Sequence, residues 1–402
     1  MYSGLRPPWL ARRGSAIAEI STHARDRGAD ESAVDDPPPP IRPAPGRAVR
    51  RARHAAVASL GWMISCGGAA PAGPGVPSID QPQAVASGAT MTAVRIHGFG
   101  GPEVLQSERV PLPVAGAGEL RIHVIAAGVN PVDVQVRDGS AAAIVHDRFP
   151  FTPGADVSGI VDQVGSGVTR FKVGDPVYAF LDLSRSGGYA EYAVAEDREA
   201  APKPSRLTHV QAAAVPLAAL TAWQALVDTA QLTVGQTVLI HGGSGGVGSF
   251  AIQIAKARGA RVIATASTAN QALLTTLGAD QAIDYGAARF EDVAHDVDVV
   301  LDTVGGDTLS RSLDVVKHGG VVVTLRRAPD PAALAARHVR GGRIVVHPDA
   351  AGLAELTRLI DAGKITPVVS DVIALSDVAN AHARVATGHT RGKIVLRVYD
   401  EP

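Results

Sequence analysis

The chain has 402 residues, of which 46% are hydrophobic and 19% charged, and its formal net charge is −1. This composition is typical of globular proteins with a large core, and the near-neutral charge argues against nucleic-acid partners and against a general attraction to membrane surfaces. The one cysteine excludes a disulfide within the monomer and a cysteine-based structural zinc site. No run of 18 apolar residues occurs, so we expect no stable membrane insertion.

Residues 1–90 differ in composition from the rest of the chain. They contain arginine but no lysine, and they include four consecutive prolines at 37–40. Such a segment buries too little apolar surface to offset its ordering entropy, so we predict a disordered N-terminal extension. An apolar stretch before Cys66 follows several arginines and resembles a lipoprotein signal. We predict a cytoplasmic protein, with Met91 as a candidate natural start and a lipid anchor through Cys66 as the alternative.

From Met91 to about Leu207, short apolar strands alternate with Gly, Pro and Asp, which predicts a compact β-barrel or a distorted sandwich. Residues 211–226 are helical in composition, and Pro216 marks a break between two helices. Strands and helices then alternate, as in a parallel sheet covered by helices. The predicted strands lie near 237–241, 261–266, 298–302, 320–325 and 343–347.

A glycine-dense turn follows the first of these strands and opens a helix at once. Gly243, Gly245 and Gly248 have the G-x-G-x-x-G spacing. The first glycine permits a tight turn, the second lets backbone N–H groups approach a pyrophosphate, and the third lets helix and strand pack closely. The phosphates lie at the positive end of the helix in such sites. We therefore predict a dinucleotide site that comprises Gly243, Ser244, Gly245, Gly246, Val247 and Gly248.

The end of the second strand bears on the choice of nicotinamide cofactor. NAD sites usually carry an acidic residue there, which binds the ribose 2′-OH. This strand instead ends in 264–270, Ala-Thr-Ala-Ser-Thr-Ala-Asn, without an acid. Ser267, Thr268 and Asn270 can donate hydrogen bonds to a 2′-phosphate, so we predict NADPH as the cofactor.

Nine motifs in chain order resemble the medium-chain dehydrogenase/reductase superfamily, in its zinc-independent, quinone-oxidoreductase-like branch. They lie at 127–133, 153–159, 174–177, 188–192, 220–223, 242–248, 277–285, 302–306 and 392–396. The resemblance covers residues 91–402 and implies an α/β protein with two domains. A GroES-like β-barrel catalytic domain spans 91–215 and is completed by 365–402. A Rossmann NADP-binding domain with a doubly wound parallel sheet spans 216–364.

Zinc-dependent relatives carry a zinc cysteine where this chain has Asn130, and a Gly-His-Glu motif where it has 154–156, Gly-Ala-Asp. The 13 histidines show no paired ligand spacing. We therefore predict no metal site. Without a Lewis acid to stabilise an alkoxide, reduction of a quinone or of an activated C=C bond is favoured over alcohol oxidation.

The resemblance also implies roles for single residues. Asn130, Asp133 and Tyr189 are the candidate catalytic residues, each with a structural alternative: a turn residue, a fold-stabilising hydrogen bond and a core aromatic. The further cofactor-binding candidates are Thr221, Tyr285, Val304, Gly305 and Lys393. The alternative for Tyr285 is a packed aromatic at a strand end, and the alternative for Lys393 is a solvated lysine. No side chain stands out as the proton donor, and water is a candidate.

These observations predict an NADPH-dependent oxidoreductase that transfers hydride to a quinone or an α,β-unsaturated carbonyl compound without a metal. An enoyl-thioester reductase and a non-catalytic NADPH-binding redox sensor are the alternatives. The strand predicted at 342–347 is expected at a sheet edge, where subunits of this family pair, so we expect a homodimer.

Overall fold

The computed structural model describes residues 88–145, 148–185 and 187–400. The predictions for the N-terminal extension, including lipid attachment at Cys66, therefore fall almost entirely outside the described residues. Within the described ranges, no helix combines the length and the apolar character needed to cross a membrane.

The first half of the described chain consists mainly of short strands, as the punctuation by Gly, Pro and Asp predicts. Its elements are β1 (Thr90–Arg95), β2 (Gln106–Pro111), β3 (Glu119–Val129), α1 (Pro131–Asp138), α2 (Ala142–Val145), β4 (Asp156–Val164), β5 (Pro176–Phe180), β6 (Tyr192–Glu196), β7 (Ala200–Pro202), α3 (His209–Ala213) and α4 (Pro216–Trp223). The predicted break lies between α3 and α4, because Pro216 lacks an N–H and suits the first turn of a helix. A π-helical turn at Gln224–Thr229 extends α4.

The second half alternates strands and helices. Its elements are β8 (Thr237–His241), α5 (Gly246–Ala257), β9 (Arg261–Ala266), α6 (Gln271–Thr276), β10 (Gln281–Asp284), β11 (Val297–Asp302), α7 (Asp307–Ser312), β12 (Val316–Thr324), α8 (Pro331–Ala336), β13 (Arg340–Arg343), α9 (Ala350–Asp361), β14 (Val369–Ala374), α10 (Val378–Ala386) and β15 (Lys393–Arg397). Short 3₁₀ turns lie at Pro102–Val104, Asp197–Glu199, Thr268–Asn270, Phe290–Asp292 and Leu375–Asp377.

Two large sheets result. The largest apolar cluster contains residues of both sheets, and each sheet has a further cluster of its own. The six strands β10-β9-β8-β11-β12-β13 form a wholly parallel sheet in that order. Its central strands are apolar throughout because helices cover both faces. The mainly antiparallel second sheet has the order β14-β15-β3-β4-β5-β7, and β6 also pairs with β3. The predicted α/β class, with a GroES-like sheet and a Rossmann sheet, is confirmed.

The last strand of the parallel sheet lies earlier than predicted, at Arg340–Arg343 rather than 343–347. Pairing with β12 ends after the Ile344 N–H donates to the carbonyl of Thr324. The Gln224 side chain then takes over both backbone groups of His347: its amide donates to the carbonyl at 2.9 Å, and its oxygen accepts from the N–H at 3.2 Å. A side chain 123 positions away thus replaces the strand partner.

The C-terminal segment returns to the antiparallel sheet. β15 pairs antiparallel with β3, so that Ile394 lies opposite Val129 and Val395 opposite Gly128. The residues just before this pairing touch the parallel sheet's first loop, because the N–H of Gly392 donates to the carbonyl of Ser244 at 2.8 Å. One short segment therefore contacts both sheets and positions the site.

Candidate active site

The glycine loop joins β8 to α5 in a conformation that requires glycine. Gly242 has φ +73°, and its carbonyl accepts from the N–H of Gly245 at 3.0 Å. A Cβ on Gly248 would lie 2.2 Å from the Gly242 oxygen, so only glycine allows this approach of helix and turn.

The open side of the loop faces away from this contact and suits an anion. A Cβ on Gly245 would meet only the Gly242 oxygen, at 3.4 Å, and no side chain caps α5. The first N–H groups of α5 have no acceptor within the helix, and the helix dipole makes this end positive. The loop residues 243–248 therefore fit a pyrophosphate group.

Lys393 lies directly beside this loop. A Cβ on Gly246 would lie 3.1 Å from the Lys393 Cδ, so the stem of the lysine runs along the loop. Lys393 itself begins β15 of the antiparallel sheet, and its ammonium donates to the carbonyl of Val129 at 2.9 Å, at the end of the neighbouring β3, and to the side-chain oxygen of Asn130. The lysine is 4% exposed, so the structure places it in the interior and not in solvent.

Asp156 completes this buried junction. Its Oδ2 lies 3.3 Å from the Lys393 ammonium and accepts from the Asn130 amide at 2.9 Å, while Oδ1 accepts from the N–H of Leu217 at 2.7 Å. Burial raises the pKa of the Asp156 carboxyl, and the Lys393 ammonium opposes this rise. We call Lys393, Asn130 and Asp156 the lysine junction. Each charge in it has a partner, as buried charges require.

A second buried network adjoins the lysine junction through Asn130. The Asp133 Oδ2 accepts from the backbone N–H of Asn130 at 2.8 Å and from the Tyr189 hydroxyl at 3.1 Å. The Tyr189 oxygen lies 3.2 Å from Nε2 of His382. Tyr189 is fully buried, as a core aromatic would be, yet its hydroxyl is bound to the network.

Burial perturbs each titratable group of this second network. It raises the pKa of the Asp133 carboxyl to about 6, against partial compensation by the Asn130 N–H. It lowers the pKa of the His382 imidazole to about 3 and raises the pKa of the Tyr189 phenol. The Asp133 Oδ1 accepts no hydrogen bond from a described residue, and Asp133 lines a small cleft together with Thr152, Pro153, Gly154, Leu183 and Gly187.

The candidate ribose-binding residues lie at the carboxyl ends of β9 and β10. The Asn270 amide donates to the Ser267 hydroxyl at 3.1 Å, and Tyr285 is 61% exposed, so it is not a packed aromatic. The Thr268 hydroxyl donates to the Asp284 carboxylate at 2.6 Å. The sequence after β9 contains no acid, but the neighbouring strand brings one to the same place.

Two further candidates lie at the carboxyl end of β11. The N–H groups of Val304 and Gly305 both donate to the buried Asp302 carboxylate at 3.0 Å, which fixes this turn. The side chain of Val304 is 50% exposed. Thr221 is different: it is buried in α4, and its hydroxyl donates to the Leu217 carbonyl of the same helix at 2.7 Å.

The structure thus brings Asn130, Asp133, Tyr189 and Lys393 into one connected set, next to the glycine loop. Sequence reasoning missed the partners that connect them. In the sequence, Asp156 stands out only as the residue at the place of a zinc-site glutamate and Asp284 only as part of the motif at 277–285, while nothing local indicates His382.

The geometry defines a class: a two-sheet oxidoreductase with a dinucleotide loop held against a second, GroES-like sheet. Two family models match the chain, "Alcohol dehydrogenase GroES-like domain" over residues 116–205 and "Zinc-binding dehydrogenase" over residues 277–396. Within the described residues, no group of three or more His, Cys, Asp or Glu side chains is arranged to hold a metal ion.

Named relatives are similar over most of their own length. The chain is 38% identical to the NADPH-dependent alkenal/one oxidoreductase of Arabidopsis thaliana, over 74% of this chain and 77% of the relative. It is 35% identical to the quinone oxidoreductase of Mus musculus, over 76% and 97%. The solved structure of the quinone oxidoreductase from Coxiella burnetii superimposes with a TM-score of 0.72 and 36% identity, over 77% of this chain and all of that one.

The chain therefore belongs to the medium-chain dehydrogenase/reductase superfamily, among its quinone-oxidoreductase-like members, as the motifs predicted. It is an oxidoreductase that uses a nicotinamide cofactor.

The raised pKa of Asp133 predicts a pH-dependent stability. In the unfolded chain this carboxyl loses its proton near its ordinary pKa of 3.8, whereas the folded protein retains it up to about pH 6. Between these values the unfolded state binds fewer protons, so the free energy of unfolding falls as pH rises, by about 3 kcal/mol in all. D133N removes this term, so its stability relative to the parent protein should rise by up to about 3 kcal/mol from pH 4 to pH 6.5.

Urea denaturation at several pH values measures this difference. The contributions of the other titrating groups to the pH dependence are the same in both proteins and cancel in the difference. D138N is the control, because Asp138 lies at an exposed position of the same helix. A stability difference between D133N and the parent that does not change with pH would contradict the assignment.

The lysine junction predicts a large cost for removing one partner. K393M leaves a buried, unpaired carboxylate at Asp156 and should lower the free energy of unfolding by about 3–5 kcal/mol. Adding D156N to K393M should recover part of this loss, because an amide needs no counter-charge. K256M breaks an exposed pair with Asp280 and should cost less than about 1 kcal/mol. Equal losses of unfolding free energy for K393M and K256M, measured by chemical denaturation, would contradict the coupling between Lys393 and Asp156.

Proposed function

We propose that this oxidoreductase transfers hydride from NADPH to a quinone or an α,β-unsaturated carbonyl compound without a metal ion. The lysine junction carries the proposal. A buried ammonium neutralises Asp156, the residue that the resemblance aligns with a glutamate of zinc-dependent relatives, so this carboxylate already has its counter-charge. Two relatives are named for activity on quinones and on alkenals and enones, which supports the substrate class.

The residues present fit a nicotinamide dinucleotide. The backbone of Gly243, Ser244, Gly245, Gly246, Val247 and Gly248 would hold the pyrophosphate at the positive end of α5. Ser267, Thr268, Asn270 and Tyr285 would face the adenosine ribose, and Val304 and Gly305 the nicotinamide. When bound, the reduced nicotinamide supplies the hydride.

The buried networks position the reacting groups. Asn130 has its oxygen and one amide hydrogen bound within the lysine junction, which leaves one amide hydrogen for the nicotinamide ribose or for a substrate carbonyl. Asp133 holds the backbone of Asn130, and Tyr189 holds Asp133. We assign positioning roles to Asp133, Tyr189 and Lys393, and water as the source of the proton that accompanies the hydride. Thr221 stabilises α4 beside the site.

The proposal includes the expected organisation of the protein. The catalytic domain comprises 91–215 and 365–402, and the cofactor domain comprises 216–364. β13 lies at the edge of the parallel sheet, and strand pairing there between two copies would give the homodimer. The cytoplasmic location expected from the sequence stays a prediction.

A single set of rate measurements tests the activity. The intact protein should oxidise NADPH in the presence of a quinone and of a short enone, at rates that a metal chelator leaves unchanged. Alcohols with NADP⁺ should give no reaction. Tight NADPH binding without turnover of any acceptor would support the redox-sensor alternative, and loss of rate after chelation would contradict the metal-free mechanism.

With Asp284 beside Thr268, the NADPH proposal is supported by the donors Ser267 and Asn270 and by the relative that is named NADPH-dependent, and Asp284 provides its test. The protein should show a lower KM for NADPH than for NADH. D284N removes the negative charge beside Thr268, so it should lower the KM for NADPH by about three- to tenfold and leave that for NADH unchanged, because only NADPH carries the 2′-phosphate. Equal use of the two cofactors by the parent protein would contradict the NADPH assignment.

A further inference from the structure

Three arginines without partners lie at one corner of the parallel sheet. Arg326 and Arg327 lie two and three residues after the end of β12, and Arg343 is the last residue of β13, opposite Thr324. All three are exposed, and none of their guanidinium groups bonds to or pairs with another described residue. The nearest acids along the chain are engaged elsewhere: Asp314 pairs with Arg337, Asp330 caps α8 and Asp349 caps α9.

The strand order assigns this corner to one end of the cofactor. The glycine loop follows β8, in the middle of the sheet, while the ribose-binding candidates follow β9 and β10 on one side. The dinucleotide must therefore extend from the loop across the other side, where β11 and β12 end. The arginines border the nicotinamide end, at which hydride is exchanged, and lie far from the adenosine phosphate.

Close packing ties Arg326 to this end. A Cβ on Gly305 would lie 2.9 Å from both Cβ and Cγ of Arg326, so the arginine stem rests on the Val304–Gly305 turn. The turn itself is held by the buried Asp302. A guanidinium on this fixed support, with two more at the same corner of the sheet and no ion pair to an acid of the described residues, is suited to bind phosphate or carboxylate oxygens.

We propose that Arg326, Arg327 and Arg343 bind an anionic group of the substrate, remote from the double bond or quinone that is reduced. This inference rests on the proposed function and narrows its substrate class. The anion is either the phosphate of a thioester carrier or a carboxylate or sulfonate on the acceptor itself. The former corresponds to an enoyl-thioester substrate.

Matched substrate pairs test the inference. Crotonyl-CoA is compared with the crotonyl thioester of N-acetylcysteamine, and 1,2-naphthoquinone-4-sulfonate with 1,2-naphthoquinone. We expect at least one anionic member to have the higher kcat/KM, by about tenfold at low salt, and the advantage to shrink as salt is added. The pair that shows the effect identifies the anion.

The variant R326Q/R327Q should lower kcat/KM for the preferred anionic substrate about tenfold and leave its neutral partner unchanged. R343Q should have a smaller effect of the same kind. R340Q is the matched control, because Arg340 is exposed at the opposite end of β13. Equal rates for both members of each pair, or a variant that slows both members equally, would overturn the inference.

A binding measurement separates this inference from the proposed activity. Hexanoyl-CoA and a carboxylate analogue of the acceptor are each titrated calorimetrically into the full-length protein saturated with NADP⁺. Binding that weakens about tenfold in R326Q/R327Q supports the arginine site. It does so even if no acceptor is turned over, although that absence of turnover would refute the proposed reductase activity. Turnover of neutral quinones without binding of either anion would refute the arginine site alone.

Discussion

The ammonium of Lys393 is the group on which the arrangement of the site depends. It sits in the interior between the glycine loop and the antiparallel sheet, and a charge in that position is tolerated only when its hydrogen bonds are satisfied. Val129, Asn130 and Asp156 satisfy them, and all three lie on or beside β3 and β4. The need to pair one charge therefore ties β15 to β3 and β4 beside the glycine loop, at the place where a dinucleotide would bind.

A chain of hydrogen bonds that starts at this lysine positions the other polar groups of the site. Lys393 orients the Asn130 side chain, Asp133 holds the Asn130 backbone, and Tyr189 links Asp133 to His382 on α10. Each step keeps a polar group away from water, and the raised pKa of Asp133 and the lowered pKa of His382 reflect that cost. A rigid polar network of this kind defines one geometry, because any rearrangement would leave buried groups unpaired.

Charge is distributed unevenly along the cofactor-binding edge of the parallel sheet. Asp284 lies at the ribose end, the positive end of α5 lies in the middle, and the unpaired arginines lie at the far corner. The strand order would place these features beside different parts of one extended ligand. Under the two proposals, the acid would bear on the choice between cofactors and the arginines on the choice between substrates.

The sequence alone determined those features that depend on residues close together in the chain. Glycine spacing predicted the loop, Pro216 the break between two helices, and ordered motifs the family and both sheets, because turn conformation and strand periodicity are local properties. The tertiary structure alone decided which side chains meet. Lys393 and Asn130 are 263 positions apart and touch only because β15 pairs with β3. Asp284 reaches Thr268 from the neighbouring strand, and Gln224 ends the pairing of β13 from a distant helix. Such contacts follow from strand order and burial, which no short stretch of sequence specifies.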